Sequence, residues 1–266
     1  MDRPTWAPQG IDLTRASAAR IYDYYLGGSH NFEVDREAGR RAVEILPELP
    51  KIMQANRAFI RDAVQHAAAS GITQFLDIGS GIPTFGNVHE VAQDAASDAR
   101  VVYVDHDPVA VAHSQALLAE VPRATVVEAE LLRPKELLSR VEATGLIDFS
   151  RPVALLLVAV LHFVEESEDP YALVAELRDA LAPGSMLVLS HASQDTRTQE
   201  AGQIEELYRH IGTPFNLRTK EQVERFFDGF EPDPGVVLIA AWGDNAQAAG
   251  DDPTRFSGYV GIGRKR

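Results

Sequence analysis

The stretch Phe75-Leu76-Asp77-Ile78-Gly79-Ser80-Gly81-Ile82-Pro83 constrains this chain more than any other. A short apolar run that ends in two closely spaced glycines predicts a buried strand entering a tight turn, because glycine tolerates backbone angles other residues avoid. Val101-Val102-Tyr103-Val104-Asp105 predicts a second buried strand, ending on an acid and followed by His106 and Asp107. Between them, Asn87 to Ala92 predicts a helix with Asn87 as N-cap and Glu90 three residues on. A strand–helix–strand unit of this kind holds a nucleoside-containing ligand at the ends of its strands.

The glycine pattern bears on which ligand that is. A dinucleotide fingerprint requires Gly-x-Gly-x-x-Gly, the last glycine permitting close helix–strand packing. Here Thr84 stands in the third place and Gly86 comes two residues late. Asp77 also sits just before the first glycine. Beside a pyrophosphate that carboxylate would repel, whereas the ammonium and sulfonium of S-adenosylmethionine would be attracted. Asp105 suits either ligand, since an acid at the second strand's end can accept both ribose hydroxyls. S-adenosylmethionine is therefore the expected cofactor and NAD(P) the alternative.

From residue 73 the pattern alternates strand and helix, the mark of a doubly wound, mostly parallel α/β sheet. Strands are expected near 73–78, 101–105, 124–129, 152–160 and 185–190. Asp107-Pro108 and Asp169-Pro170 each place an N-cap before a proline at the first helical position, Pro134 opens another helix, and Pro183-Gly184 precedes the fifth strand. Helices near 199–211 and 219–228 follow, the second with Thr219 and Gln222 as a capping box. Two last strands, 235–242 and 255–263, flank a polar stretch, which makes seven strands in all. Ahead of the first strand, residues 1–13 read as an irregular arm, and helices are expected over 14–26, 34–46 and 51–70. Those helices cannot be a crossover. The expectation is a helical cap over 1–72, belonging to the same domain as the ligand-binding core over 73–266.

In an open parallel sheet, ligands sit beyond the carboxyl ends of the strands. That rule selects Gly79, Ser80 and Gly81 after the first strand, then Asp105 and His106 after the second. Glu130 and Leu131 after the third could meet the adenine amine and cover its ring, though Glu130 reads equally as a solvated acid. Ala159 closes the fourth strand and is counted with the cofactor contacts. His162, just beyond, is the one candidate general base, since a neutral imidazole there could take a proton from an attacking hydroxyl or amine. The competing reading is a histidine that only packs or caps, and His191 shares the ambiguity. Glu165, Glu166, Glu168 and Asp169 read as a solvated turn and helix start, so no metal site is expected. Tyr22, Tyr24, Tyr25, Gly28, His30 and Asn31 crowd aromatic and hydrogen-bonding groups around a glycine pair, consistent with a lid on the substrate side as well as with a simple helix stop.

The 266 residues are 45% hydrophobic and 24% charged, an ordinary globular composition. A net charge of −14 argues against nucleic acid as a partner. With no cysteine there is neither disulfide nor thiolate chemistry, which suits a reducing cytoplasm. Val153 to Leu161, the most apolar run, is far too short to span a bilayer, and no signal-peptide core stands at the N-terminus.

Tyr22 to Phe32, Asn56-Arg57-Ala58-Phe59, Gln74 to Gln93, Val104-Asp105, Arg151 to Phe163, Gly184 to His191 and Phe226-Phe227-Asp228-Gly229 resemble an actinobacterial family of S-adenosylmethionine-dependent methyltransferases, long catalogued only as a domain of unknown function. The resemblance implies a class I methyltransferase core whose final strand runs antiparallel beside the fifth, with a helical extension in the same domain. Where that family has an aspartate after the third strand, this chain has Glu130. The implied function is methyl transfer to oxygen, nitrogen or carbon of a small molecule. Nothing like the Asn/Asp-Pro-Pro-aromatic motif of enzymes that methylate base amines occurs at Val160-Leu161-His162-Phe163. The rival readings are a non-catalytic binder of the cofactor and an NAD(P)-dependent oxidoreductase; neither the acceptor nor the oligomeric state is legible.

Overall fold

The computed structural model describes residues 7–8, 11–83, 86–250 and 252–266. Most of the expected arm and Thr84 lie outside them. Three helices come first, α1 (Ala18–Tyr25), α2 (Glu33–Ile45) and α3 (Leu49–Ala69). The alternating part follows as β1 (Gln74–Ile78), α4 (Val88–Ala95), β2 (Arg100–Asp105), α5 (Pro108–Leu118), β3 (Ala124–Glu128), α6 (Pro134–Glu142), β4 (Ala154–Val158), α7 (Pro170–Ala180) and β5 (Met186–His191). The chain ends with α8 (Thr198–His210), α9 (Lys220–Glu224), β6 (Phe230–Pro232), β7 (Val237–Leu238), α10 (Asn245–Ala249) and β8 (Tyr259–Lys265).

Local chemistry explains most helix starts. Asp107 accepts from the amides of Val109 (2.7 Å) and Ala110 (3.3 Å) at the head of α5, where Pro108 needs no partner. Asn87 N donates to Glu90 Oε2 at 2.8 Å, half of the expected capping box on α4. The sheet order is β3-β2-β1-β4-β5-β8-β6, with β1 to β5 parallel and β8 antiparallel between β5 and β6. Alternation along the strands splits the core. Phe75, Val101, Leu156 and Val188 face α3 and α4, while Leu76, Val102, Leu155 and Leu187 face α6 and α7. Asp77 alternates with Leu76 and so lies on the α3 face. Central strands buried on both faces read as continuous apolar runs, as Leu155-Leu156-Leu157 does.

The C-terminal third departs from the sequence expectation. The sheet has eight strands, the extra one being Phe230–Pro232. Only Val237–Leu238 of the expected 235–242 strand pairs with β8; Ile239–Ala241 form a 3-10 turn instead. There the chain leaves the sheet to pack the half-buried Trp242 edge-on against Phe59 of α3, ring centroids 4.9 Å apart. Asn245 holds that path by donating to the carbonyls of Ala55 (3.2 Å) and Ile239 (3.1 Å), and it begins α10 inside the supposed polar loop. The last strand starts at Tyr259, later than the expected 255, because Pro253–Arg255 form another 3-10 turn. The helix expected over 219–228 is α9 to Glu224, then a 3-10 turn over Arg225–Phe227. No helix among the described residues is long and apolar enough to cross a membrane.

The N-terminal helices share the α3-side core with the sheet, through Ile21, Tyr25, Phe59 and Val64. A buried ionic cluster also ties them down. Arg20 donates from Nε to Asp35 Oδ2 (2.8 Å), from Nη1 to Asp107 Oδ2 (3.3 Å) and from Nη2 to Arg15 O (2.6 Å). Asp35 further accepts the amides of Ser17 (2.9 Å) and Phe32 (2.8 Å), and Ser17 Oγ donates to Asp107 Oδ2. Removing one partner of a buried cluster strands the others. Asp35→Ala is expected to lower the unfolding free energy by about 3–5 kcal/mol, read from urea denaturation. Glu37→Ala, whose partner Arg41 is exposed, should change it by about 1 kcal/mol or less. Equal effects from the two variants would mean that water screens the cluster.

Candidate active site

The carboxyl ends of β1, β2, β4 and β5 open into one cleft, walled on its far side by α1, α3 and α8. It encloses about 1550 Å³, open mouth included. Asp77, Gly79, Ser80, Gly81, Asp105, His106, Ala159 and His162 all line it, as do Tyr22 and Tyr25 of α1. Glu130 and Leu131 do not. They follow β3, the edge strand two places from β1, and Glu130 is exposed. At nearly 5 Å per strand, that puts them roughly 10 Å to one side of the glycine turn.

The first two strand ends form a charged cradle. Gly79 and Gly81 take φ of +74° and +67°, and a Cβ at Gly79 would stand 2.5 Å from the Val160 side chain. The amides of Gly79 (2.8 Å) and Ser80 (3.2 Å) donate to Val104 O. Asp105 joins the two turns, its Oδ2 accepting from Gly81 N (2.7 Å) and its Oδ1 from Asp107 N (2.8 Å). A carboxylate has about four lone-pair sites, so both oxygens keep acceptor capacity for a ligand. Burial pushes the Asp105 carboxyl up. It pushes Asp77 up to about 7, against the pull of the Arg57 guanidinium and with help from the charge of Asp105. Two buried polar oxygens here, Ser80 Oγ and Asn56 Oδ1, have no hydrogen-bond partner.

The other end is uncharged. Ala159 adopts φ of +55°, a left-handed angle rare outside glycine, and its amide donates to Ser190 Oγ at 3.0 Å. His162 follows in the 3-10 turn Leu161–Phe163, buried beside Phe163, Phe215 and His191. Burial, then His191 and Arg218, holds its imidazole well below the usual histidine range, so the ring is neutral near pH 7. His191 is neutral as well. Burial lowers it to about 3, its Nδ1 donates to Ala192 O (2.8 Å), and its Nε2 accepts from Arg218 Nη1 (2.8 Å).

Arg218 was not foreseen from sequence. A lone arginine in a loop reads as solvated, yet this side chain is fully buried. It donates to Leu161 O (2.9 Å), Val164 O (3.0 Å) and Glu166 Oε1 (2.8 Å), so it braces the turn that carries His162. The neighbouring acids have similar structural work: Glu168 caps Glu165 N at 3.0 Å, and Asp169 caps Ala172 N at 3.1 Å.

The expected lid stretch divides. Tyr22 faces the cleft and accepts from Asn56 Nδ2 (3.0 Å), burial raising its phenol. Tyr24, Gly28, His30 and Asn31 lie outside the cleft lining. Tyr24 packs over Gly39 of α2. Asp23 organises the rest, accepting from His30 N (2.9 Å) and Asn31 Nδ2 (2.7 Å), with Gly28 pressed against its carboxylate. The His30 ring lies 3.8 Å from that of His113 on α5, so the turn docks on α5 and not over the strand ends.

A family model described as S-adenosyl methyltransferase matches residues 4–266. The chain belongs to that family. It is similar to a DUF574 family protein from Streptomyces avermitilis, 41% identical over 96% of this chain and 99% of that one, with a TM-score of 0.91. It is also similar to a candidate methyltransferase from Thermobifida fusca, 40% identical over 99% and 100% of the two chains, TM-score 0.90. An O-methyltransferase family protein from Burkholderia thailandensis, 12% identical over 91% of this chain and 63% of that one, shares the fold alone at a TM-score of 0.54. No curated protein matches. The protein is thus a class I S-adenosylmethionine-dependent methyltransferase, related to actinobacterial proteins, and the NAD(P) alternative falls away.

The cradle fits that cofactor on its own chemistry. A buried carboxyl raised to about 7 by Asp77's surroundings is a ready partner for a cation, and the unpartnered Ser80 and Asn56 oxygens await donors. The raised value has a stability consequence in the ligand-free methyltransferase. Asp77 binds its proton more tightly when folded than the unfolded reference near 3.9 allows. Its contribution is therefore neutral near pH 4 and becomes destabilising as pH rises through about 7. Asp77→Asn should raise the melting temperature of the ligand-free protein more at pH 8 than at pH 5. An identical shift at both pH values would mean that the carboxyl ionises as it does in the unfolded chain.

Proposed function

We propose that this methyltransferase acts on a small-molecule acceptor at oxygen, nitrogen or carbon, in a cytoplasmic setting that suits its cysteine-free chain. The layout of the cleft carries the reading. Its lining runs from the charged turns after β1 and β2 (Asp77, Gly79, Asp105) to the rings beyond β4 and β5 (His162, Phe163, Tyr208, Phe215), so cofactor and acceptor can lie side by side in it. A net charge of −14 disfavours nucleic acid as acceptor.

In this proposal Asp105 receives the ribose hydroxyls with the lone pairs left over from Gly81 and Asp107. Asp77 faces the cofactor's ammonium, and the turn Gly79-Ser80-Gly81 lets backbone approach it closely. His106 flanks the ribose from the mouth, and Ala159 bounds the methyl-bearing end. The cofactor when bound supplies a methyl carbon on cationic sulfur, an already activated leaving group. What the chain adds is orientation and exclusion of water, the job assigned to Tyr22, Tyr25 and α3. The helices before β1 act as one wall of the same domain, and the Asp23-centred turn of Gly28, His30 and Asn31 keeps α1 in place. His162 is better suited to hydrogen-bond the acceptor atom than to carry its proton away, because burial, and then His191 and Arg218, disfavour an imidazolium there.

S-adenosylhomocysteine is expected to raise the melting temperature, as a ligand bound only by the native state does, and NAD at equal concentration is not. A shift with NAD alone would sink the proposal. Asp105→Ala should weaken S-adenosylhomocysteine binding by about a hundredfold in calorimetry, the loss of two charge-assisted hydrogen bonds. Unchanged affinity would leave Asp105 a turn-bracing residue only. If Asp77 meets the ammonium, binding at pH 7 should release about half a proton from its carboxyl. Calorimetry in buffers of different ionisation enthalpy reads that release, and Asp77→Asn should abolish it. A release that persists in the variant comes from another group.

A further inference from the structure

We propose that the second end of the cleft receives an uncharged, planar ring bearing a hydroxyl, stacked among Phe163, Tyr208 and Phe215 with the hydroxyl toward His162. This deepens the small-molecule reading above and rests on it.

Topology leaves the room. In the order β3-β2-β1-β4-β5, the cradle built on β1 and β2 lies to one side. The exits of β4 and β5, with His162 and His191, lie to the other. A cofactor held at Asp105 and Asp77 therefore leaves the space over β4 and β5, closed by α3 and α8.

The walls there are rings. Phe215 stacks on Tyr208 with centroids 4.8 Å apart at 29°. It stands 5.8 Å and 63° from Phe163 and 4.8 Å and 50° from His162. All four line the cleft. Rings presented at several inclinations offer both faces and edges, the arrangement that favours a further aromatic group over an aliphatic one.

Charge selects against ions. The arginine and carboxylates that line the cleft, Arg57, Asp77 and Asp105, all belong to the cradle end among the described residues. His162 and His191 are held neutral by burial. Arg218, the nearest cation, is fully buried and committed to two carbonyls, a carboxylate and the His191 ring. A carboxylate or phosphate on the acceptor would lose its water with nothing to replace it.

His162 supplies a polar handle. It lines the cleft and is more than nine-tenths buried, and its Nδ1 has no hydrogen-bond partner. A single hydroxyl placed against this ring can supply the missing partner.

The test is titration calorimetry on the full chain saturated with S-adenosylhomocysteine, using naphthol, hydroxynaphthoate and the saturated alcohol decalinol as probes. Naphthol should bind, and about tenfold or more tighter than either of the others, the scale of one lost ring contact or one unpaired charge. Phe215→Ala should weaken naphthol by about tenfold and leave S-adenosylhomocysteine affinity unchanged. Should that variant fail to fold, Phe163→Leu carries the same expectation. Hydroxynaphthoate binding as well as naphthol overturns the exclusion of charge, and decalinol binding as well overturns the ring. Absence of naphthol binding while S-adenosylhomocysteine binds normally refutes this inference alone. Loss of S-adenosylhomocysteine binding by the wild-type protein refutes the cofactor assignments beneath it.

Discussion

The placement of the N-terminal helices hangs on one carboxylate. Asp107 caps α5 with Oδ1 and receives Arg20 and Ser17 with Oδ2, while its own amide donates to Asp105. One residue thus connects the end of β2, the head of α5 and the start of α1. Arg20 carries the connection on to Asp35, whose other partners fix the turn into α2. Burial makes these bonds strict, because any partner left alone would face a low-dielectric interior without water. The wall of the cleft and the cradle inside it are therefore positioned by the same cluster.

Polarity divides the cleft in a way that matches its chemistry. At the β1–β2 end, burial strains the ionisation of Asp77 and Asp105, and cationic or hydroxyl-bearing ligands relieve that strain. At the β4–β5 end, Arg218 donates to two carbonyls, Glu166 and His191, and burial, helped by Arg218, keeps two imidazoles neutral. On the proposed reading, the positively charged methyl donor takes the first end and the uncharged acceptor the second.

Sequence alone determined whatever is encoded within a few neighbouring residues. Gly79 and Gly81 with Asp105, the Asp-Pro helix starts, the Asn87 and Thr219 caps and the apolar runs of β1 to β5 are short-range statements of backbone sterics, hydrogen bonding and hydrophobicity. They carried the sheet, the family and the cradle's lining residues. Tertiary structure alone decided how distant pieces meet. Glu130 lies outside the cleft lining because β3 occupies the sheet edge; Gly28, His30 and Asn31 turn away because Asp23 and His113 offer them partners, and Tyr24 because it packs over Gly39. Trp242 leaves the last hairpin because Phe59, far back in the chain, gives it a surface to pack against. Arg218 looked like any surface arginine until four acceptors from two separate segments, 161–166 and His191, closed around it. Such partners lie far apart in sequence, and only the energy of burying them together selects one arrangement.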